Sequence, residues 1–220
     1  CLALTLTSCN DFLDKLPDDR ATVDTEEKVG NLITMAYPEC VPAMMLEMSS
    51  DNVMDNGKQY TAQPNQEAMY RWEDITTTYN DDPRRVWNAC YQAVATANEA
   101  LQAINTLGAD KLKGYRAEAL LCRAYGMFTL ANTFCMAYDS TKAKGYLGLP
   151  YPLQPEQSVE TQYVRGTLEE LYANINADIE AALPLIDDNH LTGKATKYHF
   201  NRKAAYAFAA RFNLYYQKWE

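Results

Sequence analysis

The sequence predicts an all-α fold: a tetratricopeptide-like helical-repeat scaffold carrying long irregular loops. Three observations predict it. Apolar residues recur at helical spacing in five separate segments, and no segment alternates convincingly with period two. One of these segments, around AEALLCRAYGMF, is dense in small residues, which lets a neighbouring helix approach closely. Finally, Ala119-Leu-Leu-Cys-Arg123 is echoed by Ala207-Phe-Ala-Ala-Arg211, with small residues on one face and aromatics just beyond. Stacked helix pairs have this character. The spacing of the echo is not a clean multiple of the ~34-residue repeat, so a proline-rich connector must lie between as an insertion.

The first helix is read from Asp24-Thr25-Glu26-Glu27, a small cap residue with Glu three later. Val29, Leu32, Ile33 and Ala36 continue it, and Pro38 ends it. Residues 38–82 are different: they are rich in Asn, Asp, Gln, Thr and Pro, and Asp55-Asn56-Gly57 is a strong turn signal. A polar stretch of this length inside a domain is usually functional or mobile. Asp82-Pro83 opens the next helix, with Asp as cap and Pro in the first turn. Trp87, Cys90, Val94, Leu101 and Ile104 form its apolar face, and Gly108 closes it.

A third helix is expected over about residues 111–136. It is followed by a connector whose Pro150, Pro152 and Pro155 mark it as a loop. Thr167 and Glu170 form a capping box ahead of Leu168, Leu171, Ile175, Ile179 and Leu183, one apolar stripe. A fifth helix begins near Phe200 or Asn201 and carries Ala204, Phe208, Phe212, Tyr215 and Trp219.

Composition narrows the function. In 220 residues, 47% are hydrophobic and 22% charged, values of a folded chain. The formal net charge of -9 repels phosphate backbones, so nucleic acid is not an expected partner. No run of 18 apolar residues is present, so no transmembrane helix is expected. Tyr is abundant, 16 against 6 Phe. Its apolar face and hydroxyl suit wet helix interfaces and sugar-like ligands alike.

Catalytic patterns are scarce. The six cysteines include no C-x-x-C pair, so neither a zinc ribbon nor a redox motif is indicated. Cys90, Cys122 and Cys135 are expected as buried free thiols. His190 and His199 read as ordinary surface or helix-start residues. No metal site and no cofactor are expected: H-E-x-x-H, Walker and G-x-S-x-G sequences are lacking, and DNVMDNGKQY does not follow a calcium-loop pattern. Carboxylates such as Asp51, Asp55, Glu73, Asp74, Asp81 and Asp82 are numerous, and paired acids can hydrolyse glycosides. In an acidic chain, however, acids are mostly solvated.

The best ligand-binding candidates lie in residues 45–82, where Tyr60, Tyr70, Trp72 and Tyr79 are interleaved with Asp51, Asn52, Asn56, Arg71, Asp74, Asn80 and Asp81. Aromatic faces stack on the C–H face of a sugar ring, while amides and carboxylates take its hydroxyls. The alternative is a loop folded back on helices with its aromatics buried.

Several segments, in order, resemble the SusD/RagB family of surface nutrient-binding lipoproteins of Bacteroidota. LTSCNDFLDKLP looks like the family's lipoprotein start, and VWNACYQAVATANEALQAI like its first long helix. YRAEALLCRAYGMFTLANTF is similar to its A-E-A-x-x-x-R-A-x-x-x-F helix, and GYLGLPY to the G-x-x-P segment that follows. RGTLEELYANINADIEAALPLI and KATKYHFNRKAAYAFAARFNLYYQKWE look like its next two helices. The chain departs from the family at FCMAYDSTKAKGYLG, where a short Tyr-Gly link is longer.

The resemblance implies a helical, tetratricopeptide-like fold without catalytic activity. It implies capture of an oligosaccharide, or sometimes a peptide, and delivery to a SusC-like TonB-dependent transporter in the outer membrane. It also implies a C-terminal part beyond this chain. Leu6-Thr7-Ser8-Cys9 then reads as a cleavage and acylation site, with residues 1–8 as the end of a signal peptide. Residues 9–23 become a lipidated tether attached to the membrane through Cys9, and 24–220 the first part of the helical domain. Competing readings are a helical-repeat scaffold that binds only protein, and a glycosidase.

Overall fold

Four helices start where a local side chain satisfies one of their first free N–H groups. The structure, a computed structural model, describes residues 22–58, 63–76, 78, 82–156, 158 and 161–219. Helix α1 spans Glu26–Thr34, and the Thr25 hydroxyl accepts from the Lys28 N–H at 3.3 Å. Helix α4, Pro83–Leu107, is capped by the Asp82 carboxylate, 2.7 Å from the Arg85 N–H. It ends at Gly108, whose φ of 110° only glycine adopts without strain. Helix α6, Leu168–Ala182, opens on a reciprocal capping box between Thr167 and Glu170. In α7, Arg202–Tyr215, Asn201 accepts from the Ala204 N–H at 3.0 Å.

Helix α5, Lys113–Phe134, lies at the centre. It packs against α4 on one side and α6 on the other, and α1 covers part of both α4 and α5. Burial runs all around it rather than along one stripe. That requires small residues at the crossings. A Cβ on Gly126 would sit 3.0 Å from Val94 Cγ2 and 3.3 Å from the Cys90 carbonyl oxygen, so the α4–α5 contact is built on this glycine. Aromatic rings fill much of the remaining core. Tyr172 is 1% exposed and stacks on Phe212, while Phe128 meets Phe208, Phe212 and Tyr215 edge to face.

Residues 38–82 hold more regular structure than their polar composition predicts. Two short helices lie there, α2 over Ala43–Met48 and α3 over Pro64–Tyr70. They pack on each other, each burying a methionine, Met45 and Met69, and the Ser49 hydroxyl donates to the carbonyl oxygens of both. Each is too short to display helical periodicity. Val23, one residue before the expected start of the helical domain, already packs on the core. Cys90 and Cys122 are buried free thiols as expected; Cys135, which follows the last turn of α5, is only half-buried.

No strand occurs among the described residues; one isolated antiparallel bridge joins Leu147 to Thr167. The proline-rich connector between them is held by a buried polar network. Arg123 makes two bonds to Asp178, and its Nη1 donates to Asn98 Oδ1 at 2.8 Å and to the Leu153 carbonyl at 3.3 Å. Asn98 in turn donates to the carbonyl oxygens of Pro152 and Gln154, and the Tyr151 hydroxyl donates to Asp178 Oδ2 at 2.6 Å. A loop without secondary structure of its own thus has its backbone fixed by α4, α5 and α6.

Candidate functional site

The α2–α3 segment presents two of the aromatic residues singled out from the sequence, Tyr70 and Trp72. Helix α3 ends in a Schellman turn: the Trp72 N–H donates to the Met69 carbonyl at 3.2 Å and the Glu73 N–H to the Ala68 carbonyl at 2.8 Å. That geometry needs a left-handed residue, usually glycine. Here Trp72 supplies it, with φ of 58°. A bulky side chain in this region is uncommon and costs about 1–2 kcal/mol. The cost brings no burial in return, because Trp72 is 80% exposed. Strain of this kind clusters at binding sites.

Tyr70 and Arg71, directly before it, line an open cleft of about 460 Å³ between α2, α3 and the loop around residues 53–58. Its other walls include Met48, Met54 and Lys58. Arg71 is steadied by Glu67, Nη2 to Oε1 2.6 Å, both half in solvent. Asp55 closes an Asx turn onto the Gly57 N–H at 2.7 Å, where φ is 82°. The cleft therefore offers an aromatic face, the Arg71 and Lys58 cations and a preset loop.

Placement of the other candidates is mixed. Asp51 and Asn52 are exposed in the turn after α2 and do not line this cleft; Asn52 is tied to Ser50 and Glu47. Trp72 stands beside the cleft in sequence without being one of its lining residues. Tyr60, Tyr79, Asn80, Asp81 and Cys9 lie outside the described residues. No group of His, Cys, Asp and Glu suited to a metal ion occurs among the described residues. No described helix is long and apolar enough to cross a membrane.

The two histidines correct the expectation made for them. They are not surface residues: the His190 side chain is 6% exposed and the His199 side chain 18%. Both converge on Glu118, itself 1% exposed, His190 Nε2 at 2.9 Å and His199 Nδ1 at 2.6 Å. The Tyr37 hydroxyl donates to the same carboxylate at 2.6 Å and accepts from the Phe200 N–H. Burial pulls the Glu118 carboxyl upward most strongly, but bonds from His190, Tyr37 and His199 together hold it below the usual range. An ionised carboxylate only accepts, so both histidine nitrogens carry protons. Gly114 makes room for the His190 ring, against which any Cβ at that position would clash. His190 Nδ1 is left as a buried atom without a hydrogen-bond partner. This knot joins distant segments of the chain. It is closed off from solvent, which gives it a structural role, and Glu118 within AEALLC offered no signal of it.

The family model described as "Starch-binding associating with outer membrane", SusD-like, matches residues 11–214.

The chain belongs to the SusD-like family.

Solved structures agree on the fold. A SusD superfamily protein from Bacteroides thetaiotaomicron superposes with a TM-score of 0.66 at 20% identity, covering 90% of this chain and 43% of that one. A surface glycan-binding protein A from Bacteroides fluxus gives 0.62 at 22%, with 88% and 40% covered. A laminarin-binding SusD-like protein gives 0.64 at 19%, with 87% and 40% covered. Among curated proteins none matches the chain in sequence. The chain spans about two fifths of the length of these solved structures. Its all-α, tetratricopeptide-like architecture is thus that of the SusD-like fold.

Proposed function

We propose that this SusD-like protein captures an oligosaccharide at the cell surface and delivers it to a TonB-dependent outer-membrane transporter without catalysing a reaction. The observation that carries this reading is Trp72, an indole held 80% in solvent by a left-handed backbone directly after Tyr70 and Arg71. Burial does not repay that conformation, whereas stacking on a sugar ring does. The family description supports a glycan of the starch type, and the name of the laminarin-binding relative adds laminarin as a second class to try. Lipid attachment at Cys9 follows from the resemblance of the N-terminal segment and the transporter partner from the resemblance of the whole chain to the family; both belong to the same reading.

The test is calorimetry of the full-length protein against a panel of neutral oligosaccharides, including maltoheptaose and laminarihexaose. Heat of binding that Trp72→Ala reduces at least tenfold in affinity is expected. No heat with any sugar in the panel would shift the reading to a protein-binding scaffold, and release of reducing ends would make the protein a glycosidase.

A further inference from the structure

A second cleft, of about 390 Å³, lies between α4 and the proline-rich connector, away from the α2–α3 segment. Its volume is that of small-ligand sites. Two elements supply its walls. From α4 come Trp87, Tyr91 and Asn98; from the connector come Gln154, Glu156 and Tyr163.

The aromatic walls are fixed. Trp87 is braced by Tyr91, with centroids 5.0 Å apart, and edge-on by Phe134 at 5.3 Å. The connector backbone is pinned to α4 as far as Gln154. The Tyr91 hydroxyl donates to the Pro150 carbonyl at 3.0 Å, and the Asn98 amide donates to the carbonyl oxygens of Pro152 and Gln154. Asn98 is itself held by Arg123. Tyr163 remains 46% exposed although its hydroxyl donates to Glu156 Oε1 at 2.6 Å. That bond positions the ring and leaves the second carboxylate oxygen of the exposed Glu156 as an acceptor.

We propose that this cleft is a second saccharide site, which binds one ring of a neutral glycan between Trp87 and Tyr163. The inference rests on the glycan-binding reading above. The ring's C–H face meets the aromatic walls, and its hydroxyls reach Glu156 and the Gln154 amide. A neutral sugar is specified because, among the described lining residues, Glu156 alone is formally charged, and the chain carries a net charge of -9, which disfavours an anionic one. The braced aromatic wall on α4 and the pinned connector up to Gln154 reduce the ordering cost of binding. Two sites, one beside α4 and one on the α2–α3 segment, let a polymer be held at two points, raising avidity beyond either alone.

Hydroxyl-radical footprinting of the full-length protein, read by mass spectrometry, locates the bound sugar. It is run beside calorimetry with malto-, laminari-, xylo- and manno-oligosaccharides. Expected is protection of Trp87, Tyr91 and Tyr163 by at least one sugar, retained in Trp72→Ala. Tyr163→Ala and the milder Glu156→Gln should each weaken binding about fivefold to tenfold, with unchanged circular dichroism. Heat of binding with protection confined to Tyr70 and Trp72, and no effect of either connector variant, overturns the second site and leaves the first. Absence of heat and of protection with every sugar overturns both.

Discussion

Arg123 on α5 and Asp178 on α6 form a two-point ion pair in the core, Nε to Oδ2 at 2.7 Å and Nη2 to Oδ1 at 2.6 Å. Their side chains are 7% and 8% exposed. Burial lowers the affinity of the guanidinium for its proton, but Asp178 and Tyr151 more than offset that, so Arg123 stays charged. The pair is not isolated: through Asn98 and Tyr151 it also holds the connector.

Removing one partner leaves the other charge buried and unmatched. Arg123→Ala is therefore expected to cost about 3–5 kcal/mol, the range for breaking a buried pair. Arg123→Lys should recover only part of this, because an ammonium cannot make both bonds to Asp178 while reaching Asn98. Urea unfolding measures the loss. Limited proteolysis should cut the connector of the variants near residues 150–156 before the helices are cut, and equal rates at both places would contradict the clamp.

The Glu118 knot gives the protein a dependence on pH. The folded-state carboxyl is held below its ordinary value of 4.5. A carboxyl depressed by folding stabilises the native state above its unfolded value, and that contribution is lost as pH falls through the folded value. The contribution of Glu118 to stability is thus expected to be full at neutral pH and to decline below about pH 4.5. Glu118→Gln should lower stability at pH 7 by about 1–3 kcal/mol, as for a buried hydrogen-bonded group left poorly matched. It should also flatten the acid limb of the urea-midpoint profile. An acid limb as steep in the Glu118→Gln variant as in the wild type would assign the acid loss to other carboxylates.

The ion pair and the Glu118 knot lie where the sequence is least legible. At Thr25 and Asn201 only the approximate helix start was legible, whereas caps at Asp82 and Thr167 were legible because each is settled within four residues by an oxygen and a nearby N–H. Gly108 was legible for the same reason. Helices α2 and α3 were not, since six and seven residues show no period, although Pro64 at the start of α3 is a local hint. Glu118 meets His190 and His199 across 72 and 81 residues of chain, and nothing local distinguishes them from solvated polar residues. The aromatic richness of residues 45–82 was visible, but the left-handed turn that exposes Trp72 depends on where α3 ends. The second cleft depends on a connector that reads as plain loop and is held by Asn98 and Tyr91 across more than fifty residues of chain.

Trp72 separates stability from binding. Trp72→Gly places in the left-handed position the residue that suits it, so the variant should be as stable as the wild type or more so by up to about 1 kcal/mol. The same change removes the exposed ring and should lower glycan affinity at least tenfold. Thermal melting and calorimetry on one preparation test both halves. Loss of stability in the glycine variant would mean that the indole packs on the fold rather than waiting for a ligand.

Cys9 carries the expectation about location. If Leu6-Thr7-Ser8-Cys9 is processed as a lipoprotein signal, the thiol receives a diacylglyceryl group and the new amine an acyl chain, more than the two hydrophobic signals that stable attachment requires. Cys9→Ala removes the sulfur that would form the thioether, yet the position lies well before α1 in the chain. The variant should therefore fold with unchanged helix content but leave the membrane fraction and fail to incorporate labelled palmitate. Co-purification with an outer-membrane transporter should weaken as well, because the anchor confines the protein to the plane in which that partner lies. Palmitate incorporation that persists in Cys9→Ala would place the lipid on another residue.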